Sequence, residues 1–500
     1  MKFKFIKENI NCGILASVLV IFICFLTLFV KPIVGMADNG DFFRIISQSN
    51  VYYLQGDNAH SFLGYFDKNY GIYKYNNENP KMIVSTQPML VKIAVFMDKL
   101  ITRDYVFDIR FLAFLYVIVY AVSAYLIVTV LTYNIKSNKF KLLFTALFIF
   151  VFCDTGYIAY FNSFFGEAVN LSFFLLSLGI LLYMYKFKKY SILNLIMFFL
   201  ASLVFVGSKQ QLSPVGFLVA LVLFRLFMTN KRKNFRCITL ICIITIIASA
   251  LYSYKSISGD FDYINRYYSM TRGVLLYEWN PDQILKQFNI NTQYSMLQET
   301  VGFNKLPVID PNSDKLKKEF YSKYSVLSIV VFYLKNPRIF GKMINFGVIN
   351  GYSIRPKVLG NYEKKEGKAF GQQSHFFSLW STIKEKCIPH NMFLTVVAFG
   401  IYFYFAVKRY IAARKNEDID LQLFEEAFLY VFLVGTSQIF ISVIGVGDGD
   451  LAKHVFMFNV SFDIMLLYSV SLIIENIYKK NRYTNRKENK KWGLKIIEKK

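Results

Sequence analysis

Two carboxylates stand three residues apart in Ala37-Asp38-Asn39-Gly40-Asp41-Phe42-Phe43-Arg44. On a helix that spacing turns Asp38 and Asp41 to one side, and the turn that Gly40 favours also brings them close. Beside lipid, where the dielectric is low, such a pair splits its pKa values, so that one carboxylate can take the proton of an attacking hydroxyl. The same two groups could instead hold a divalent cation, with Arg44 contacting an anionic substrate. A plainer reading is an Asp-rich interfacial turn closed by a local Asp41–Arg44 ion pair.

Three further segments carry chemistry-bearing residues. Tyr157-Ile158-Ala159-Tyr160-Phe161-Asn162-Ser163-Phe164-Phe165-Gly166-Glu167 delivers one carboxylate, Glu167, as a third catalytic candidate, with Asn162 and aromatic faces suited to sugar rings. Glu at a helix start is also favoured by the helix dipole. Gly207-Ser208-Lys209-Gln210-Gln211 is a polar knot between apolar runs. There Lys209 suits a phosphate, with Gln210 beside it, or it snorkels to lipid headgroups. Gly445-Val446-Gly447-Asp448-Gly449-Asp450-Leu451-Ala452-Lys453-His454 ends in a Lys-His pair suited to substrate phosphate. Its Asp448 and Asp450 have the spacing of a cation-binding turn without the further oxygen ligands of an EF-hand. The cofactor reading is therefore none, or a divalent cation, Mg or Mn, on these carboxylates.

These residues need elements to position them. The 500 residues are 55% hydrophobic, and the apolar ones form long runs instead of periodic stripes, the pattern of an all-α polytopic membrane protein. About ten transmembrane helices are expected, near residues 10–30, 107–131, 140–158, 168–185, 192–206, 212–228, 238–254, 392–407, 424–444 and 455–474. A cleaved signal peptide competes for the first, since Gly35-Met36-Ala37 offers small residues at cleavage positions; its length favours a retained anchor. Threading from a cytoplasmic N-terminus places every short basic loop (Lys136 to Lys141, Lys186 to Lys189, Lys231 to Arg236, Lys408 to Lys415) and the tail from Lys479 inside. All four chemistry-bearing segments then fall outside, each at a helix end.

The net charge of +25 is thus explained by topology and anionic lipid; without a zinc, helix-turn-helix or RNP signature it does not imply nucleic acid. The six cysteines show no paired spacing, so no disulfide framework is implied. The organisation expected is an N-terminal transmembrane module over 1–254, whose first outer loop (31–106) carries the acidic motif, followed by a large extracytoplasmic segment over 255–389. C-terminal transmembrane helices follow over 390–476, and a basic, disordered cytoplasmic tail over 477–500. Gln87 to Ile101 is apolar but short, a re-entrant or interfacial helix.

The layout resembles the GT-C superfamily of polytopic glycosyltransferases. The matching features are the acidic start Asp38-Asn39-Gly40-Asp41 after the first helix, the proline-containing Ser85-Thr86-Gln87-Pro88-Met89-Leu90, the Glu167 loop, and the large outer segment before the last helices. The proline stretch departs from the more usual His-Pro-Pro form. Arg272-Gly273-Val274-Leu275-Leu276 and Leu334-Lys335-Asn336-Pro337 look like segments of uncharacterised bacterial membrane proteins of this type. The resemblance implies inverting transfer of a sugar from a polyprenyl-phosphate donor to a glycan or other envelope acceptor at the outer face of a bacterial cell membrane. A first-loop Asp would be the base. The alternatives are a transporter or flippase of lipid-linked sugar and an O-antigen-type polymerase.

Overall fold

The computed structural model describes residues 11–74, 83–256, 259–276, 278–302 and 307–497; the basic start at Lys2, Lys4 and Lys7 lies outside them. The N-terminal half is α1 (Cys12–Leu28), α2 (Phe43–Ile46), α3 (Gln87–Thr102), α4 (Arg110–Thr132), α5 (Asn138–Phe152), α6 (Thr155–Ile158), α7 (Glu167–Phe187), α8 (Ile192–Val206), α9 (Val215–Thr229) and α10 (Lys233–Lys255). The second long segment holds α11 (Gly259–Tyr268), α12 (Pro281–Gln287), α13 (Asp314–Glu319), α14 (Val326–Lys335), α15 (Pro337–Asn350) and α16 (Leu379–Lys386). The chain returns through α17 (Met392–Lys415), α18 (Ile419–Val446), α19 (Leu451–His454) and α20 (Phe456–Ile497).

Each of the ten expected spans is helical. Among the described residues, six helices (α4, α7, α10, α17, α18 and the first half of α20) are long and apolar enough to cross a bilayer, and α5 with the piece after it makes a seventh if the bent pair counts as one span. That bend, 48°, corrects the straight span expected over 140–158. It falls at Asp154, which leaves the helix to cap α6 by accepting the Gly156 N–H at 2.7 Å. With 17, 15 and 15 residues, α1, α8 and α9 are short for a full crossing at about 1.5 Å per residue.

Four buried threonine hydroxyls are satisfied within their own helix: Thr27, Thr132, Thr145 and Thr239 donate to the carbonyl four residues back. Small residues set the closest approaches. Ser17 donates to the Ala121 carbonyl where α1 meets α4, and a Cβ on Gly435 would lie 2.6 Å from Ser461 Cβ, where α18 meets α20.

The basic loops gather at one end of the bundle, where Lys188 pairs with Asp420 at 2.8 Å, Arg225 with Glu426 at 2.8 Å and Arg409 with Glu425 at 2.7 Å. The helix starts and ends that carry the four polar segments lie at the other. The tail expected to be disordered instead continues α20 to Ile497, its Lys, Arg and Glu being straight-chain residues that lose little freedom in a helix.

The first long segment is not all helix. β1 (Val51–Tyr52), β2 (Asn69–Ile72) and β3 (Val106–Asp108) form an antiparallel sheet in that order, with Val51 opposite Ile72 and Tyr70 opposite Phe107. The second long segment has its own core of Leu275, Leu285, Phe288, Phe320 and Phe332. Its end folds over the first loop: Ala37 N–H donates to Gly360, Phe66 N–H to Tyr362, and Asn361 Nδ2 to the Gly35 carbonyl.

Candidate functional site

Asp38 and Asp41 play different parts. The Asp38 carboxylate is buried and accepts four hydrogen bonds: Oδ1 from the Gly40 and Phe42 N–H groups at 2.8 and 3.1 Å, Oδ2 from the Tyr53 hydroxyl and the Asn58 amide, both at 2.6 Å. Burial pushes its pKa up, against the pull of those donors. Its acceptor capacity is spent on the turn, which Gly40 completes at a φ of +96°.

Asp41 faces the other way. Its side chain is 26% exposed and pairs with Arg44 at 3.0 Å and, more closely, with Lys453. Burial works to raise its pKa, but the Lys453 and Arg44 charges outweigh it and hold the carboxyl well below the usual range. Lys453 is itself buried, 2.8 Å from Asp450 and 5.1 Å from the centre of the Phe165 ring. Burial opposes its charge, yet Asp41, Asp450 and Glu167 together keep its pKa raised. Asn39 donates to Asp450 at 3.1 Å, so the first loop and the loop before α20 are joined twice.

Glu167 opens α7, fully buried, and pairs through Oε1 with Lys209; its Oε2 has no hydrogen-bond partner. Gly166 makes room for this pair, since a Cβ there would lie 2.7 Å from Lys209 Cε. His454 Nδ1 sits 2.8 Å from Gln211 Oε1, and Gln211 Nε2 donates back to the His454 carbonyl at 2.7 Å and to Ser442 at 3.0 Å. Burial pushes His454 down to about 4, aided by Lys453 and Lys209. The ring is therefore neutral near pH 7.

The structure thus brings Asp41, Arg44, Glu167, Lys209, Lys453, His454 and Asp450 into one patch. It leaves others out. Asn162 is fully buried, its amide donating to the Leu28 and Val34 carbonyls at 3.0 and 2.8 Å, which ties α1 to the first loop. Gln210 donates to the Tyr254 carbonyl on α10. Asp448 accepts a bidentate pair from Arg272 at 2.7 and 2.6 Å. Gly447, at a φ of +61°, permits the tight backbone approach beside it.

The donor set does not fit a divalent cation. Asp448 is taken by Arg272, Asp41 and Asp450 by Lys453, and Asp38 by four donors; no group of three or more His, Cys, Asp or Glu side chains occurs among the described residues.

The proline stretch has a definite job. Ser85 Oγ donates to the Ser208 carbonyl, Thr86 N–H and Oγ1 donate to Gly207 and Val204, and Gln87 Nε2 donates to Phe165. These bonds satisfy the open carbonyls at the end of α8 and lock α3 against the Lys209 loop.

Residues 1–492 of the chain are matched by a family model described as the YfdI N-terminal transmembrane domain. The chain belongs to that family. It is 23% identical over 382 residues to the uncharacterized protein YfdI of Escherichia coli (strain K12), spanning 75% of this chain and 78% of that one. As in that family's description, the protein is a membrane protein.

Within this YfdI-type domain, sequence reading missed several partners. Tyr53 and Asn58 hold Asp38 but sit in a polar loop without periodicity. Gln211 adjoins the chosen Gln210, and only the helical twist at Gln210–Leu212 decides which of the two meets His454. Arg272 was visible in the sequence, without any sign of its Asp448 partner. Inside the bundle, Asp463 of α20 accepts from Lys384 at 2.8 Å, Tyr157 at 2.5 Å and Trp380 at 2.9 Å, with both charges fully buried.

Proposed function

We propose that the protein is an inverting membrane glycosyltransferase of GT-C type that moves a sugar from a polyprenyl-phosphate donor to a cell-envelope acceptor at the outer face. The observation that carries the reading is the convergence of an accessible Asp41 with three cations, Arg44, Lys453 and Lys209, at the end of the bundle opposite the basic loops. Under the positive-inside rule that end is extracytoplasmic.

In the proposed step the acceptor hydroxyl oxygen bonds to the sugar carbon as the carbon–oxygen bond to phosphate breaks. The electron pair leaves on the lipid phosphate, and the hydroxyl proton passes to Asp41. An arriving phosphate competes with Asp41 for Lys453, which releases Asp41 from the charge that holds its pKa down. The same lysine then offsets the negative charge growing on the leaving phosphate. Gln211 bonds both the ring and the carbonyl of His454 and so fixes the turn that carries the neighbouring Lys453. No step runs through a metal.

A transporter would need ionisable groups along an open path through the bundle. Lys384 and Asp463, both fully buried in it, are instead sealed and paired. The test is transfer of labelled sugar from polyprenyl-phosphate donors to membrane extract by the purified chain. Transfer by the wild type that Asp41→Asn lowers by about 10²- to 10⁴-fold supports the reading. Equal transfer by wild type and variant, or none across the common donors, overturns it.

A further inference from the structure

α11 passes into a wider π-helical turn at Ser269–Val274, where the Leu275 N–H reaches back to the Met270 carbonyl at 2.9 Å. Turns of this kind recur at functional positions. Here the turn presents Arg272 to the loop between α18 and α19. The guanidinium makes a two-bond fork on Asp448, at 2.7 and 2.6 Å, and its remaining nitrogen donates to the Glu299 carbonyl at 2.8 Å. The backbones meet as well: the Arg272 carbonyl accepts the Asp448 N–H at 3.1 Å, and a Cβ on Gly447 would collide with that carbonyl oxygen.

Strain is concentrated at the same contact. Asp450 is held in the left-handed region at a φ of +46°, and Glu299, which receives Arg272, at +61°. Residues other than glycine stay there only where their surroundings fix them. Asp450 is also the hub of the charged patch. Its carboxylate pairs with Lys453 at 2.8 Å and accepts from Asn39 at 3.1 Å, and its carbonyl accepts the Lys453 and His454 N–H groups at 3.1 and 3.2 Å. Asn39 Oδ1 in turn accepts the Asp41 N–H at 3.3 Å. A continuous series of bonds thus leads from Arg272, through residues 448–450, to Lys453 and Asp41.

We infer that the outer segment around Arg272 is a clamp on the charged patch. Seated, it fixes the Gly447–Asp450 turn so that Asp450 holds Lys453 toward Asp41; unseated, it lets the turn relax and the patch open. Arg272 is then a positioning residue that acts through Asp448 and never meets substrate. The inference rests on the roles proposed above for Lys453 and Asp41 and adds their control by the extracytoplasmic segment. Simple fastening of that segment to the bundle would need only the ion pair. The strained Asp450, the close approach at Gly447 and the wide turn add nothing to the attraction between the two charges; each sets the shape of the loop that carries Asp450.

The test is hydrogen–deuterium exchange on the full chain in lipid nanodiscs, comparing wild type with Arg272→Ala and Asp448→Asn. Both variants should speed exchange about ten-fold over residues 445–455 and also over 37–44, which Arg272 does not touch, while residues 316–333 in the segment's own core keep their protection. Millimolar guanidinium should restore slow exchange at both places in Arg272→Ala and should leave Asp448→Asn unchanged. Faster exchange that never reaches 37–44 makes Arg272 a fastening of its own segment and overturns the inference, as does no change. If Arg272→Ala exchanges fast throughout, Asp448→Asn decides by the same criterion, and the same global change in both overturns the clamp. Where sugar is transferred, Arg272→Ala should lower kcat about ten- to a hundred-fold and leave the donor KM within about two-fold. Exchange spreading to 37–44 in a chain that transfers no sugar would keep the clamp and remove the transferase reading; sugar transfer that neither variant slows would do the reverse.

Discussion

Asp38 and Asp41 are equivalent in sequence and separable only by their partners. Asp38→Asn keeps the oxygen that faces the Gly40 and Phe42 N–H groups but turns an amide toward Tyr53 and Asn58. Losing those two bonds costs about 1–3 kcal/mol, so the variant should melt at a lower temperature. Asp41→Asn should melt near the wild type, because Lys453 retains Asp450, and should lose transfer. Thermal unfolding of both variants beside the transfer assay checks this; a stable Asp38→Asn protein without transfer would exchange the two roles. His454 gives a pH signature. Its folded pKa of about 4 lies below its unfolded value of about 6.5, so the unfolded chain binds the extra proton between those values. Stability is therefore present above pH 6.5 and lost as pH falls toward 4. The melting temperature of wild type should drop more between pH 7 and pH 5 than that of His454→Gln, and parallel curves would show that the ring is not buried neutral. The sequence offered the residue types but could not tell a saturated carboxylate from an available one, since that depends on Tyr53 and Asn58, 15 and 20 residues away.

At the scale of elements, the apolar runs located the helices well, because twenty apolar residues in lipid have few conformations other than a helix. Ranges shifted by a few residues where ends are set by caps, as at the Gln210–Leu212 turn before α9. The sheet escaped notice because strands of two to four residues are too short to show alternation. The bend at Asp154 escaped because apolar residues continue on both sides of it. Lys384 and Asp463 lie in different segments, each unremarkable alone; together they pin α16 to α20. Removing one partner strands a buried charge, at a cost of about 3–5 kcal/mol. Lys384→Met alone should therefore destabilise the protein more than Lys384→Met with Asp463→Leu. Unfolding measured for both variants in the same detergent decides it, and additive losses would mean that the pair is not coupled.

For the whole molecule, charge asymmetry gives a direct test of orientation. Cys237, at the start of α10 beside the basic loops, and Cys387, at the end of α16, are exposed, while the other four cysteines are buried. On intact cells a membrane-impermeant maleimide should label the wild type through Cys387 and should not label Cys387→Ser; labelling through Cys237 would invert the topology. Convergence of the four polar segments was legible as a shared side, through the helix count, but their pairing was not, because it joins residues hundreds of positions apart. That separation has a consequence for synthesis. Asp41 and Lys453 are 412 residues apart, so at about 5–20 residues per second the ribosome needs roughly 20–80 s to make the second after the first. Throughout that interval the nascent chain has its acidic loop without the cation that completes it. The charged patch cannot be assembled until Lys453 has been made, and a chain arrested before α19 is born without it.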